Sequence, residues 1–406
     1  MKVPFFRPAI SQSEIDEVTE VLRSGWLTSG PRVKQLEESF ARAVSSQYAV
    51  AVNSGTAALH LAVEAHKLET GQGVLVPTMT FAATAEVVHY CGGIPVLVDC
   101  DPTALDMNLE DATRRLHDVE NGVASNPHLR DVEVVGMIPV HVGGWMMDPE
   151  ANRRFAGERG LWVVEDAAHA FPAAWRKGAS DRWVRCGEGT AAVSCFSFYA
   201  NKTITTGEGG MAVTNDRSLA ERMRIMCLHG LSHDAWERYD TTASWDYRIL
   251  APGFKYNMTE IAAALGIHQL TRAEEMREAR ERIALRYREG FVDVDEVQLP
   301  PFSEDRVHAW HLLPMRLHLE HLTIDRNAFI AELKSADVGC SVHWRPLHLH
   351  PYYSERFGWA PEDFPVATNE WQRLVSLPIF PSMTGDECDY VIRTVRDLCR
   401  RFRRIR

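Results

Sequence analysis

The stretch QYAVAVNSGTAALHLAVEAHKL, from Gln47 to Leu68, decides the fold. It opens with a continuous apolar run, passes through the small residues Asn53, Ser54, Gly55 and Thr56, and continues with apolar residues at helical spacing. Strand, small-residue turn, helix: the same order recurs along the chain. "GVLVP" leads into "TMTFAATAEVVHYCG", and "IPVLVDCD", "VEVVGMIPVH" and "LWVVEDAAHA" follow. Short apolar strands alternating with helices predict an α/β domain around a mostly parallel sheet. Ligands of such sheets sit beyond the carboxyl ends of the strands, so the residues just after each strand are the ones to inspect.

The 406 residues give ample material for a core, and 45% hydrophobic with 24% charged residues is an ordinary globular composition. With 44 basic against 55 acidic residues the formal charge is −11, which argues against a nucleic-acid binder. The basic tail "CRRFRRIR" reads as the end of a helix, where cations are favoured. No apolar run is long enough for a membrane span, and the N-terminus lacks the apolar centre of a signal peptide. Eight cysteines are scattered without a C-x-x-C pair, so buried reduced thiols and a cytoplasmic protein are expected.

"SQSEIDEVTEVLRSGWLTSGP" predicts a helix with Ser13 as N-cap, Ile15, Val18 and Leu22 on one face, and Gly25 at its end. "TEIAAALGIHQLTRAEEMREARERIALRYREGF" predicts a long, interrupted helical stretch. "HAWHLLPMRL", "NAFIAELKSADV" and "CSVHWRPL" then read as strand, helix and strand, and "GDECDYVIRTVRDLCRRF" as a closing helix. The expected division is a large α/β domain over 1–265 and a smaller α+β domain over 266–406.

Three strand-end clusters carry candidate chemistry. Asn53, Ser54, Gly55 and Thr56 open a helix, where free N–H groups and the helix dipole suit a phosphate, although any helix start favours such residues. Glu165 and Asp166 end an apolar run, where an acid needs a partner. Lys202, in "SFYANKTITTGEGG", lies in a tight connection between two buried segments; it either reaches water or has a chemical role. A desolvated lysine loses basicity and becomes a usable nucleophile. A phosphate site, a strand-end aspartate and a loop lysine are together the anchors of pyridoxal phosphate.

The chain resembles the DegT/DnrJ/EryC1/StrS family of sugar aminotransferases, which are fold-type-I pyridoxal phosphate enzymes. The resemblance runs from "GWLTSGP" and "NSGTAALHLA" through "VEDAAHA", "SFYANKTITTGEGGM" and "GFKYNMTEIAAALGIHQL" to "SVHWRPLHLHPYY" and "SLPIFPSMT". It implies a Schiff base between the cofactor and Lys202, Asp166 on the pyridine nitrogen, and Ser54, Gly55, Thr56 and Ser197 around the phosphate. Phe81, otherwise read as a core phenylalanine, matches the aromatic that stacks on the cofactor ring. His169 follows Asp166 by three residues, at helical spacing. Asn257 matches a residue that reaches the cofactor phosphate of a neighbouring subunit, although Lys255 and Asn257 stand where asparagine and arginine are frequent. Trp26 and Thr28, in the segment 1–30, and His343 and His348 match substrate-side positions. No carboxylate or cysteine is spaced to complete a metal site with His343, His348 and His350, so no metal is expected.

The implied activity is amino transfer in a ping-pong cycle from an amino acid, by resemblance L-glutamate, to a nucleotide-linked keto-sugar, foremost a 4-keto-6-deoxyhexose. Amination at C3 of a sugar or of a cyclitol ketone is the alternative within the family, and a non-catalytic sensory or regulatory protein the alternative outside it. Dehydratase relatives replace the lysine with histidine, which Lys202 argues against. A homodimer with shared active sites is implied.

Overall fold

The computed structural model describes residues 1–124, 126–130, 132–232 and 247–404. In chain order its strands are β1 (Tyr48–Val52), β2 (Gly73–Pro77), β3 (Ile94–Val98), β4 (Val134–Met137), β5 (Trp162–Asp166), β6 (Ala174–Trp175), β7 (Val184–Arg185), β8 (Val193–Ser197), β9 (Gly210–Thr214), β10 (Val297–Gln298), β11 (Arg306–Val307), β12 (Leu313–Leu317) and β13 (Leu374–Leu377). A seven-stranded sheet has the order β1-β9-β8-β5-β4-β2-β3. The pairs β8/β5, β5/β4, β4/β2 and β2/β3 are parallel, and β9 runs antiparallel to both β1 and β8. The sheet is therefore mostly parallel, as the alternating pattern predicts.

The strands are apolar because both faces are covered: every residue of β2 and of β9 is buried. On one face lies the helix Gly55–Ala65, whose residues from Ala57 to Val63 are all buried. That helix starts immediately after β1, so it points its N-terminus at the carboxyl edge of the sheet.

A second core gathers around the antiparallel sheet β10-β12-β13 and the helices Ala273–Gly290, Arg326–Ser335 and Gly385–Arg401. The two cores exchange segments. Val3 packs into the second core and pairs with Val338, while Leu347, Tyr353, Phe357, Trp359 and Phe364 return to the first. A small sheet, β11-β6-β7, further ties Arg306–Val307 to Ala174–Trp175.

Several local expectations are corrected. The first helix is Gln12–Ser24, capped by Ser11 rather than Ser13, because Ser11 and Glu14 satisfy each other's backbone N–H groups; Gly25 ends it at φ 73°. Its buried residues are Glu14 and Val21, whereas Ile15 and Leu22 are exposed. Glu14 is buried because Gln269 and Arg272 of the neighbouring helical segment supply donors to its carboxylate. The long helical stretch is interrupted as expected, dividing into Glu260–Thr271 and Ala273–Gly290. "CSVHWRPL" forms no strand: only Ser341 pairs, with Ser376, and β13 completes the sheet in its place.

Candidate active site

The carboxyl ends of β5 and β8 bring an acid and a lysine together. Asp166 is the last residue of β5 and pairs with Cys195 of β8. Its side chain is buried, with Oδ2 accepting from the Thr84 hydroxyl at 2.8 Å and Oδ1 from the Ala168 N–H at 3.1 Å. Burial raises its carboxyl above the ordinary aspartate range, opposed by those two hydrogen bonds and by the charge of Lys202. Lys202 sits in the turn after β8, held by its N–H to the Tyr199 carbonyl at 2.9 Å. Burial of its ammonium lowers it from 10.5 to about 8, with Asp166 acting in the opposite direction.

Three imidazoles surround the amine. His311 Nε2 lies 3.5 Å from Lys202 Nζ. The rings of His311 and His169 are 4.2 Å apart, and His169 stacks on Trp344 at 5.1 Å and 19°. His169 Nδ1 accepts the Gly143 N–H at 3.3 Å. His343 Nδ1 is 2.9 Å from the Ser376 hydroxyl, and its ring stacks on Phe5. Burial, then the Lys202 charge, lowers His343 to about 4; burial also places His169 and His311 well below the imidazole range. Neutral rings therefore line a lysine of reduced basicity. Asp166 and His169 do not share a helical face: residues 167–170 form a turn closed by the Ala170 N–H on the Ala167 carbonyl.

The anion-suited turn lies against the same edge. Ser54 caps the helix Gly55–Ala65, its hydroxyl accepting from the Ala57 N–H at 3.0 Å. A Cβ on Gly55 would stand 2.9 Å from Ser197 Cβ, and one on Gly210 only 2.4 Å from the Ser54 carbonyl oxygen. Glycine at both positions lets the turn close onto the ends of β8 and β9, placing Ser54, Gly55 and Thr56 beside Ser197. Phe81, 62% exposed, precedes the helix Ala83–Tyr90. Its carbonyl accepts from the Thr84 N–H, and Thr84 reaches Asp166.

The other expected residues separate into two places. Trp26 and Asn257 both meet Ser29: Trp26 Nε1 donates to its carbonyl at 3.1 Å, and Asn257 Nδ2 to its hydroxyl at 2.8 Å. Thr28 is exposed in the same segment, and Lys255 Nζ donates to Asn257 Oδ1 at 2.5 Å. Among the described residues, no hydrogen bond or ion pair joins Thr28, Lys255 or Asn257 to the Lys202 cluster. His348 is a correction, because it is 1% exposed and both its nitrogens are engaged, Nδ1 with Thr78 at 2.8 Å and Nε2 with Thr368 at 2.9 Å. Its ring has no edge left for a substrate.

Sequence reading passed over His311, Trp344 and Thr84. The signals were present: a histidine interrupting the apolar "HAWHLLPM", the aromatic after His343, and a hydroxyl three residues beyond Phe81.

Beneath the site, His141, Glu165 and Cys186 present ligand-type atoms within 4.8 Å of one another. His141 Nδ1 accepts the Met147 N–H at 3.1 Å, which leaves the ring proton on Nε2, 3.6 Å from Glu165 Oε1. The Thr190 and Ser194 hydroxyls, each at 2.6 Å, occupy Glu165 Oε2. This is a buried hydrogen-bonded scaffold under Asp166 and offers a metal no free imidazole lone pair.

A lysine that titrates at about 8 when folded has a testable signature. Between that value and 10.5 the unfolded chain binds more protons than the folded one, so this group's contribution to stability rises with pH across the window. Its full penalty is present below about 8. Lys202→Met is expected to be more stable than the native chain at pH 7, both measured by urea unfolding without added cofactor. The gap closes as the pH approaches 10.5. A gap independent of pH contradicts burial as the cause.

The fold and this cluster set a half-buried lysine within the field of a strand-end aspartate at the carboxyl edge of an α/β sheet. The chain belongs to the DegT/DnrJ/EryC1/StrS aminotransferase family, whose sequence profile matches residues 8–396. It is 41% identical over 397 residues to the spore coat polysaccharide biosynthesis protein SpsC of Bacillus subtilis, covering 98% of this chain and 97% of that protein. Among solved structures it resembles the PLP-form of Spr1654 from Streptococcus pneumoniae, with a TM-score of 0.84, 28% identity and 99% of each chain covered. It also resembles the sugar aminotransferase CalS13 from Micromonospora echinospora, with a TM-score of 0.80, 27% identity and 97% and 99% of the two chains covered. Among the described residues, no helix is long and apolar enough to cross a membrane.

Proposed function

We propose that this chain is a pyridoxal phosphate-dependent aminotransferase that passes the amino group of L-glutamate to the ketone of a nucleotide-linked sugar, foremost a 4-keto-6-deoxyhexose. We place it in the cytoplasm as a homodimer with shared active sites. The observation that carries the reading is the juxtaposition of Lys202 and Asp166, each within the other's field at the carboxyl edge of the sheet. The sugar is supported by the likeness to CalS13 and to a polysaccharide biosynthesis protein, and the cofactor by the likeness to a structure in PLP-form.

The residues present fit the cofactor. Lys202 would hold its aldehyde carbon, Asp166 its ring nitrogen, Phe81 a ring face, and the Ser54–Thr56 turn with Ser197 its phosphate. When bound, the cofactor supplies an aldehyde that takes up an amine and a cationic ring that accommodates the electron pair left at the donor Cα. Asp166, kept from water, would hold a proton at the ring nitrogen. As a free amine Lys202 would take the donor Cα proton at Nζ, a task for which a value of about 8 suits it. His169 and Trp344 form one stacked wall of the site, with His343 beside it.

The purified protein is expected to be yellow, and glutamate to shift its absorption. UDP-, dTDP- and GDP-linked keto-sugars, offered with glutamate, identify the acceptor. A colourless protein carrying no lysine adduct after borohydride overturns the reading and favours a regulatory role.

Shared sites give a separate prediction. If Asn257 serves the partner's cofactor, Lys202→Ala and Asn257→Ala chains refolded together form mixed dimers with one intact site. Activity then recovers to about a quarter of native, as random pairing of subunits requires. No recovery above Asn257→Ala alone places Asn257 in its own subunit's site or outside any site.

A further inference from the structure

We propose that His311 is a positioning residue for the Lys202 amine, its Nε2 accepting a hydrogen from Lys202 Nζ and fixing the direction of the amine whenever it is not covalently engaged. The inference rests on the cofactor reading above and adds to it a residue that orients the nucleophile.

His311 differs from a satisfied core histidine of the same chain. His348 has hydroxyl partners on both nitrogens, whereas His311 has Lys202 at 3.5 Å on Nε2 and no partner for Nδ1 among the described residues. The contact is long, as such contacts commonly are before a site is loaded. The direction of donation follows from chemistry. While Lys202 is an ammonium it carries only N–H donors, so a neutral imidazole meets it through the lone pair of Nε2.

The loop carrying His311 is held on every side. The Ala309 N–H donates to the Gly144 carbonyl at 3.0 Å and the Leu312 N–H to the Gly143 carbonyl at 3.1 Å. Arg280 Nη1 donates to the Trp310 and Ile379 carbonyls at 3.4 and 2.7 Å. The Trp310 N–H donates to His308 Nδ1 at 2.8 Å, and these two rings stack at 3.9 Å. Gly143 also gives its own N–H to His169, so one backbone segment fixes both histidines. Such clamping is what an orienting group needs, since a displaced nucleophile loses rate steeply. The charged and titratable groups facing the pair are Asp166 from β5, His169 from the turn after it, His343 from the segment before β13, and Arg280 from the helix Ala273–Gly290. Asp166 alone among them is an acid.

The test follows capture of added pyridoxal 5'-phosphate by cofactor-stripped protein. The Lys202 nitrogen bonds to the aldehyde carbon and water leaves. Borohydride then delivers hydride to the C=N bond, and peptide mass reports the reduced adduct on Lys202 against time and pH. His311→Asn, which keeps an acceptor, is expected within about threefold of native, and His311→Phe at least about tenfold slower. The pH midpoint of His311→Phe falls below the native one, because the lost acceptor favoured the charged amine. Native rate and midpoint in His311→Phe overturn the proposal, as does an equal loss in His311→Asn. An absence of adduct on the native protein overturns the cofactor reading instead. If near-ultraviolet circular dichroism shows His311→Phe unfolded, ¹⁵N resonances of the native histidines decide. His311, assigned from its absence in His311→Asn, should carry its proton on Nδ1, with an Nε2 resonance that moves in Lys202→Ala. A proton on Nε2 overturns the proposal.

Discussion

Lys202→Ala is expected to abolish amino transfer while leaving the chain folded. The amine forms no ion pair among the described residues, and its Nζ has the His311 ring as a long hydrogen-bond partner at 3.5 Å. Its ammonium is destabilised by burial, so truncation removes a penalty rather than a support. The loss of turnover should exceed about 10⁴-fold, because a covalent anchor and a proton-transfer group vanish together. Lys202→Arg separates the two properties of the residue. A guanidinium keeps the positive charge but neither bonds to the aldehyde nor loses its proton, so the same loss is expected. Measurement needs kcat with glutamate, borohydride adduct by mass, and a thermal midpoint for each variant. More than a residual percent of native activity in Lys202→Arg would mean that charge, and not the nucleophile, is what position 202 supplies.

What the sequence disclosed follows from how local each signal is. The strand-turn-helix at 47–68 is self-contained, since its apolar run and its small residues specify both the parallel strand and the helix N-terminus. Asp166 and Lys202 were legible only as a set, since a strand-end acid alone can be an ion-pair partner and a loop lysine alone can reach water, whereas together with the phosphate-suited turn they make one demand. His311 and Thr84 were not, because their meaning is tertiary. Thr84 matters through a hydrogen bond to a residue 82 positions away, and His311 through a contact across 109. His348 shows the converse: the family resemblance implied a substrate-side position, and only its Thr78 and Thr368 partners reveal a filled ring. Segment exchange was equally hidden, since nothing local in Val3 says that it will pair with Val338. The N-cap was missed because an acid stands three residues after Ser13 (Asp16) as well as after Ser11 (Glu14), and only the Ser11 N–H on Glu14 Oε2 at 3.0 Å shows which serine caps the helix.

Asp166→Asn is expected to separate stability from chemistry. Burial raises the folded carboxyl above its unfolded value, so between the two values the folded chain binds more protons and this group's contribution to stability falls as pH rises. At neutral pH the asparagine variant should therefore match or exceed the native thermal midpoint, while its carbonyl can still accept the Ala168 N–H. Turnover should nevertheless fall by about 10²–10³-fold, the range for removing one preorganised electrostatic group from a water-poor site. A protein that keeps a buried acid at the expense of its own stability needs that acid for something other than folding. Thr84 supplies an independent check, since its hydroxyl donates to Asp166 Oδ2 at 2.8 Å. Thr84→Val should slow turnover by about tenfold, because the carboxylate loses a donor that favours its charged form. In the double variant that loss should largely disappear, since an uncharged residue 166 has no ionised form for Thr84 to support. Strictly additive losses would mean that Thr84 acts through its other partners, the Thr80 hydroxyl and the Phe81 carbonyl, and not through the acid.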